Sequence, residues 1–346
     1  MELLKELCMA DGVSGFEKNV AEIMKRELRK SCEKVEVDNF GNVIGQKGKG
    51  KTKIMIAAHM DEIGLMVKNI NEKGFISFIK IGGIDDRILM SQRVIIKAKK
   101  GDVMGVIGSK PPHLQKKEET EKVVKNEDLF IDIGAKSREE ASAKVEVGDP
   151  ILFEPAFMEY GGDLVNAKAV DDRIGCYALL KVMEKIPKNI DATVYAAATC
   201  QEEVGLKGAR VAAYKLDPNY AFAIDTTIAG DTPQIKESES SLKVGGGPAI
   251  TIIEANGRGT ISHPRMREAL ISTAKKHNIA YQIDVIEGGM TDGAMIYLTR
   301  EGVPTGVVSI PCRYIHTPTG IFSRKDVDST VELLVKTLTE IRDLRV

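Results

Sequence analysis

The 346-residue sequence contains no tryptophan, no Cys-x-x-Cys pair and no apolar run approaching the roughly 18 residues of a membrane span. It also lacks an excess of either charge: 49 Lys and Arg face 50 Asp and Glu, for a formal net charge of −1. That balance argues against a nucleic-acid partner, which usually leaves a basic surplus. The five cysteines (Cys8, Cys32, Cys176, Cys200, Cys312) are odd in number and dispersed, as free thiols in a reducing compartment are. The N-terminal stretch Met1-Glu2-Leu3-Leu4-Lys5-Glu6-Leu7 is interrupted by acidic residues, so no signal peptide is expected. A cytoplasmic protein with no membrane partner is the expectation. Apolar residues at 43% and charged residues at 29% supply both a core and a solvated surface. The length predicts a large α/β domain with a second, smaller one.

The chain opens with a helical pattern. Ser14 and Glu17 have the spacing of a capping box ahead of Val20, Ile23, Met24 and Leu28, which recur at helical intervals. Val35 and Val37 alternate into the turn Asn39-Phe40-Gly41-Asn42, and Val43-Ile44 returns as a hairpin. Ile54-Met55-Ile56-Ala57-Ala58 reads as a buried central strand. From residue 64 to 160 the texture changes to short β-rich pieces (75–81, 94–98, 103–107, 130–133, 151–153) separated by glycine turns, which predicts a small barrel or sandwich. Residues 115–128 are nearly all charged or polar and read as a solvated loop. Beyond 160, strands at 193–198, 220–224, 249–254, 283–286 and 305–310 alternate with helices near 173, 207–214, 265–277, 294–300 and from 326. The expected fold class is therefore α/β, a mixed and mostly parallel sheet flanked by helices. Residues 1–63 and 161–346 are expected to build it, interrupted by a small β-barrel or sandwich domain at 64–160.

In an open α/β sheet, ligands gather outside the carboxyl ends of the strands. His59 and Asp61 follow the strand at 54–58, and Asp171-Asp172 precede the helix near 173. Glu202-Glu203 follow the strand at 193–198, Asp225 the strand at 220–224, and His316 the strand at 305–310. Two imidazoles and several carboxylates form a nitrogen and oxygen donor set, suited to Zn²⁺, Co²⁺ or Mn²⁺. So many carboxylates over-supply one ion, whereas a bridging Asp holding two ions about 3.5–4 Å apart uses them.

Taken singly, each motif has a blander explanation. A lone His at a strand end is more often structural, and Asp171-Asp172-Arg173 is first of all a helix N-cap. Period two, however, puts His59 and Asp61 on one side of the strand, about 6.5–7 Å apart, where Asp61 can accept the second ring N–H of His59. Adjacent residues in extended chain point opposite ways, so Glu202 and Glu203 can divide roles between metal and water. Cys200 beside two carboxylates has its thiol pushed up, which is wrong for a nucleophile. Val244-Gly245-Gly246-Gly247-Pro248 lacks the Lys and Ser of a phosphate loop. His263 starts a helix before Pro264, where capping competes with a direct role, and His113 is expected to be exposed.

Four stretches together resemble the tetrahedral aminopeptidase family, which includes glutamyl and deblocking aminopeptidases: Ala58-His59-Met60-Asp61-Glu62-Ile63-Gly64, Val170-Asp171-Asp172-Arg173-Ile174-Gly175, Gln201-Glu202-Glu203-Val204-Gly205-Leu206 and Tyr314-Ile315-His316-Thr317-Pro318. The resemblance runs essentially the full length with the motifs in order. It implies a zinc-exopeptidase-like fold holding two divalent metal ions. His59 and Asp225 would hold one, Glu203 and His316 the other, and Asp171 would bridge them. Glu202 would be general base and acid, with Asp61 orienting His59. Gly288-Gly289-Met290-Thr291-Asp292-Gly293 resembles a stretch near the family's substrate site, with Gly293 where Ala is common. Asp292, and with it His263, are thus candidate substrate contacts. The inserted domain matches the family's dimerisation domain, and members often close into homododecameric hollow shells built from dimers.

The implied chemistry is removal of N-terminal residues from short peptides. Two other readings compete. A glycoside hydrolase of endoglucanase type needs two carboxyls about 5–9.5 Å apart and no metal, which leaves both histidines without a task. A non-catalytic assembly module stabilised by metal needs no spare carboxylate beside Glu203.

Overall fold

A computed structural model describes residues 1–340. Eleven strands form one mixed sheet in the order Lys34–Val37, Val43–Lys47, Thr193–Thr199, Lys53–His59, Tyr220–Ile228, Thr305–Arg313, Gly320–Ser323, Leu164–Ala167, Phe157–Glu159. Ala249–Ile253 also pairs with Thr305–Arg313 and carries Gln282–Val285 on its other side. The four strands at the centre, Thr193–Thr199 to Thr305–Arg313, run parallel, and antiparallel pairs flank them.

Period two in the central strand sorts its side chains onto two covered faces. Ile54, Ile56 and Ala58 point into a core formed with helices Glu2–Met9, Lys18–Ser31, Val170–Lys185, Pro264–His277 and Arg324–Glu340. Met55 and Ala57 point the other way, against helix Lys207–Leu216 and the short helix Gly293–Ile296. That second layer is rich in alanine (Ala197, Ala209, Ala212, Ala213, Ala221), which lets helix and sheet approach closely. The sequence pattern over 294–300 is regular helix only through Ile296; the chain then continues in turns, with Arg300 at a positive φ.

The β-rich insertion is a closed antiparallel barrel and not a sandwich. Its strands are Gly64–Ile70, Ile76–Ile81, Phe130–Asp132, Gly101–Gly108, Arg93–Ala98 and Pro150–Phe153. Leu65, Val67, Ile76, Phe78, Val94, Ile96, Ile107, Ile131 and Ile151 fill its interior. Closure leaves no free edge within the barrel. The polar stretch 115–128 lies largely exposed outside it.

One local expectation is corrected. Ser14 and Glu17 do not form a capping box. Ser14 Oγ donates to Asp61, and Glu17 accepts from the backbone N–H groups of Gly15 and Gln201. Tertiary partners thus take both side chains away from the helix end. The glycine stretch 244–248 is closed by a carboxylate: Gly245 and Gly247 donate their N–H groups to Asp326. Among the described residues, no helix is long and apolar enough to cross a membrane.

Candidate metal centre

His59 ends its strand in register with Thr199, and Asp225 lies in register with Ser309 on the next parallel pair. The carboxyl ends of these strands thus meet at one edge of the sheet. The turn after Thr199 delivers Glu202 and Glu203, and the turn after Arg313 delivers His316 in a left-handed conformation. Across from them, Asp171 stands at the start of Val170–Lys185 with extended dihedrals, before regular helix begins. All six ligand-type residues converge. Donor atoms of His59, Glu202 and Asp225 lie within 4.8 Å of one another, and so do those of Asp171, Glu203 and His316.

The carboxylate of Asp171 lies between the two imidazoles. Its Oδ1 is 3.1 Å from His59 Nε2, and its Oδ2 is 3.4 Å from His316 Nε2. Glu203 Oε2 is 3.4 Å from His316 Nε2, while Glu202 Oε2 and Asp225 Oδ1 are each 3.9 Å from His59 Nε2. The neighbouring glutamates therefore face different histidines. Asp172, one residue from Asp171, does something else: it accepts from the N–H of Gly175 at 3.0 Å and of His59 at 3.3 Å. It caps the helix and ties it to the strand end.

Asp61 organises more than His59. The ring Nδ1 of His59 lies 3.2 Å from the Asp61 carbonyl oxygen and 3.4 Å from its Oδ1. The same carboxylate accepts the N–H of Glu202 at 2.9 Å, the N–H of Glu203 at 3.1 Å and the hydroxyl of Ser14 at 2.6 Å. Ser14 escaped the sequence reading because it is 47 positions away and matched a helix-start pattern. Asp292 is fully buried and accepts from Thr199 Oγ1, with Oδ1 left without a partner. Its charge is one of those acting on Glu202. His263 is not joined to the cluster by a hydrogen bond or ion pair among the described residues; its Nδ1 is buried and unpartnered. His113 is exposed.

The electrostatics suit a cation. Burial pushes the Glu202 carboxyl well above the usual range, with Asp292 and Glu203 adding to it and His59 opposing. Burial and then Asp171 push Glu203 up to about 7, and the same two causes raise Asp225. Burial alone lowers His59, but Glu202, Asp171, Asp61 and Asp225 outweigh it and hold the imidazole well above the usual histidine range. His316 is raised to about 9, because Asp171 and Glu203 overcome its burial. The nearby cations do not neutralise the cluster: Lys168 and Arg173 are spent on Glu62 and backbone carbonyls. Glu203 Oε1 is buried with no partner. Two imidazole nitrogens, crowded carboxylates and an orphaned buried oxygen fit a divalent ion with nitrogen and oxygen ligands. Burial, and then the charges of Glu17, Asp61 and Asp38, raise the Cys200 thiol and remove it as a nucleophile.

A profile of M42 glutamyl aminopeptidases matches residues 41–333. The chain belongs to the M42 family. It is 41% identical over 339 residues to a putative aminopeptidase of Acetivibrio thermocellus, covering 97% of this chain and 98% of that one. An aminopeptidase structure from Desulfurococcus kamchatkensis superposes with a TM-score of 0.93 at 43% identity, covering 98% of this M42 chain and 94% of the other. The Pyrococcus horikoshii TET1 peptidase, described as assembling into a tetrahedron or a large octahedral shell, gives 0.89 at 35% identity over 98% and 99%. This M42 chain is thus a peptide-bond hydrolase with the fold and family that the four motifs implied. The glycosidase and non-catalytic readings fall with that membership.

Proposed function

We propose that this M42 peptidase removes N-terminal residues from short peptides at a site holding two divalent ions, Zn²⁺ or Co²⁺, with Mn²⁺ as a further candidate. The observation that carries the reading is the placement of Asp171, with one carboxylate oxygen toward each imidazole. In this arrangement His59 and Asp225 would hold one ion, Glu203 and His316 the other, with Asp171 between them. When bound, such ions polarise the scissile carbonyl and make water more acidic.

Glu202 acts as base and then acid. It takes a proton from the attacking water, and returns it to the amine nitrogen as the C–N bond breaks. A buried carboxyl pushed upward in pKa is suited to both transfers. Asp61 positions Glu202 through its backbone N–H and orients His59. Asp292 and His263 face the substrate in this reading, since each keeps a buried polar atom without a partner.

Residues 1–63 and 161–346, joined by strand Phe157–Glu159 that pairs into the same sheet, form the catalytic unit, and the rest of 64–160 the inserted dimerisation unit. Dimers made through the barrel build the dodecameric shell, in line with the assemblies described for the Pyrococcus horikoshii relative. The near-balanced charge and scattered cysteines support the reading of a cytoplasmic protein without nucleic-acid or membrane partners.

The deciding experiment is a panel of aminoacyl anilides assayed before and after chelation. Activity is expected to vanish with chelator and return with Zn²⁺ or Co²⁺. Glu202→Gln should retain both ions and lose turnover by about 10²–10⁴-fold. Chelator-resistant activity, or full activity in Glu202→Gln, overturns the assignment.

A further inference from the structure

The two histidines are held very differently. His59 is wedged into the sheet end with a side chain only 2% exposed, whereas the His316 side chain is 39% exposed on a loop. His316 and, two residues before it, Tyr314 both take left-handed backbone conformations in this loop. What meets its far side comes from the barrel. The turn Gly82-Gly83 follows barrel strand Ile76–Ile81, and the Gly83 carbonyl lies 2.9 Å from His316 Nδ1, across 233 residues of sequence.

A carbonyl oxygen can only accept. The contact therefore requires the proton on His316 Nδ1, which in the neutral ring leaves the Nε2 lone pair free. Nε2 is the atom that points at Asp171 and Glu203. The turn is shaped for this approach. A Cβ on Gly83 would sit 2.9 Å from His316 Nδ1 and 3.2 Å from its Cε1. A Cβ on Gly82, whose φ is +82°, would sit 3.2 Å from Glu203 Oε2 and 2.7 Å from Ile63. The turn is pinned on the barrel side as well: Lys80 Nζ donates to the Ile84 carbonyl at 2.8 Å and to Asp86 at 2.7 Å.

We propose that the barrel turn Gly82-Gly83 is a positioning element of the metal centre, with the Gly83 carbonyl selecting the tautomer and orientation in which His316 presents Nε2 as a ligand. The inference rests on the two-ion reading above and extends it. One half of the centre, at His59, is built within the α/β domain, from the sheet end, the turn that carries Asp61 and the start of helix Val170–Lys185. The other half, at His316 and Glu203, is completed by the inserted barrel and depends on where the barrel holds its turn.

Gly83→Ala tests this directly, since Gly83 is not in the left-handed region and alanine burdens only the imidazole. Zn²⁺ titration by calorimetry and native mass spectrometry should show two ions in the unmodified protein. In Gly83→Ala one ion should bind roughly 10–100-fold more weakly while the other is unchanged, the range for losing a group that orients a ligand. The melting temperature of the chelated variant should match that of the parent. Gly161→Ala, where an added Cβ meets nothing within 4 Å, is the control and should change neither ion. Lys80→Met approaches from the barrel side without touching the histidine. It should weaken the same ion, with Lys80→Arg restoring much of the affinity, and it carries the test if Gly83→Ala does not fold. Two unchanged affinities in Gly83→Ala, or equal weakening of both, overturn the positioning role. Fewer than two ions in the unmodified protein overturns the two-ion reading itself, and this inference with it.

Discussion

The Asp61 carboxylate receives the backbone N–H of Glu202 at 2.9 Å and, on its other oxygen, that of Glu203 at 3.1 Å. One buried side chain therefore sets the turn that carries both glutamates, the proposed base Glu202 and the proposed ligand Glu203. It is itself held by Ser14.

Asp61→Asn replaces one accepting oxygen by an amide N–H that faces another donor. Turnover should fall by about 10–100-fold, with weaker binding of the ion at His59. Steady-state kinetics and Zn²⁺ titration measure the two effects. Ser14→Ala removes a single bond to the same charge. It should lower stability by about 1.5–3 kcal/mol, read by denaturant unfolding of the chelated protein.

Asp171 and Asp172 are adjacent and chemically identical, yet their losses should differ in kind. Asp171→Asn should abolish binding of at least one ion and nearly all activity, because its two oxygens face the two histidines. Asp172→Ala should keep the ion count and instead cost roughly 0.5–2 kcal/mol, as loss of a helix cap does. Metal analysis beside thermal melts separates the two; equal ion loss in both variants contradicts the division.

Without metal, stability should decline as pH rises. Glu203 is raised from 4.5 to about 7, so its contribution is full below 4.5 and is lost as pH climbs through 7. His316 is raised from 6.5 to about 9; its contribution is full below 6.5 and lost through 9. Both act in the same direction between about pH 5 and 9. Asp171, held low by His316 and His59 against its burial, titrates below that window. Chelated protein should therefore melt at a lower temperature at pH 9 than at pH 5.5. Added Zn²⁺ should raise the melting temperature most at the alkaline end, where the ligands are deprotonated. A chelated protein that gains stability toward pH 9 contradicts the cluster's electrostatics.

The buried Arg173 donates to Glu62 and to the carbonyls of Leu7, Ala10 and Met60. Arg173→Met should destabilise by about 3–5 kcal/mol, since several acceptors lose their partner in a dry interior. Urea unfolding checks the magnitude, and reduced helix content near the N-terminus accompanies it.

Local pattern carried the reading of the sequence a long way. The continuous apolar run Ile54–Ala58, the β-rich texture of 64–160 and the return of alternating strands and helices after 160 marked the layers, because burial of a strand or helix stripe is written at short spacing. The ligand-type residues His59, Asp171, Glu203, Asp225 and His316 were legible for the same reason: each follows or precedes a recognisable element. Tertiary structure shows what sets apart the members of a like pair. Asp171 and Asp172 differ in the direction the chain presents them, and Ser14 and Glu17 left a plausible helix cap for partners across the fold. Closure of the barrel, and the approach of its Gly83 carbonyl to His316, depend on contacts between residues far apart in the chain. Such contacts leave no periodic trace, because a hydrogen bond between distant segments constrains one atom on each side and says nothing to the neighbours in sequence.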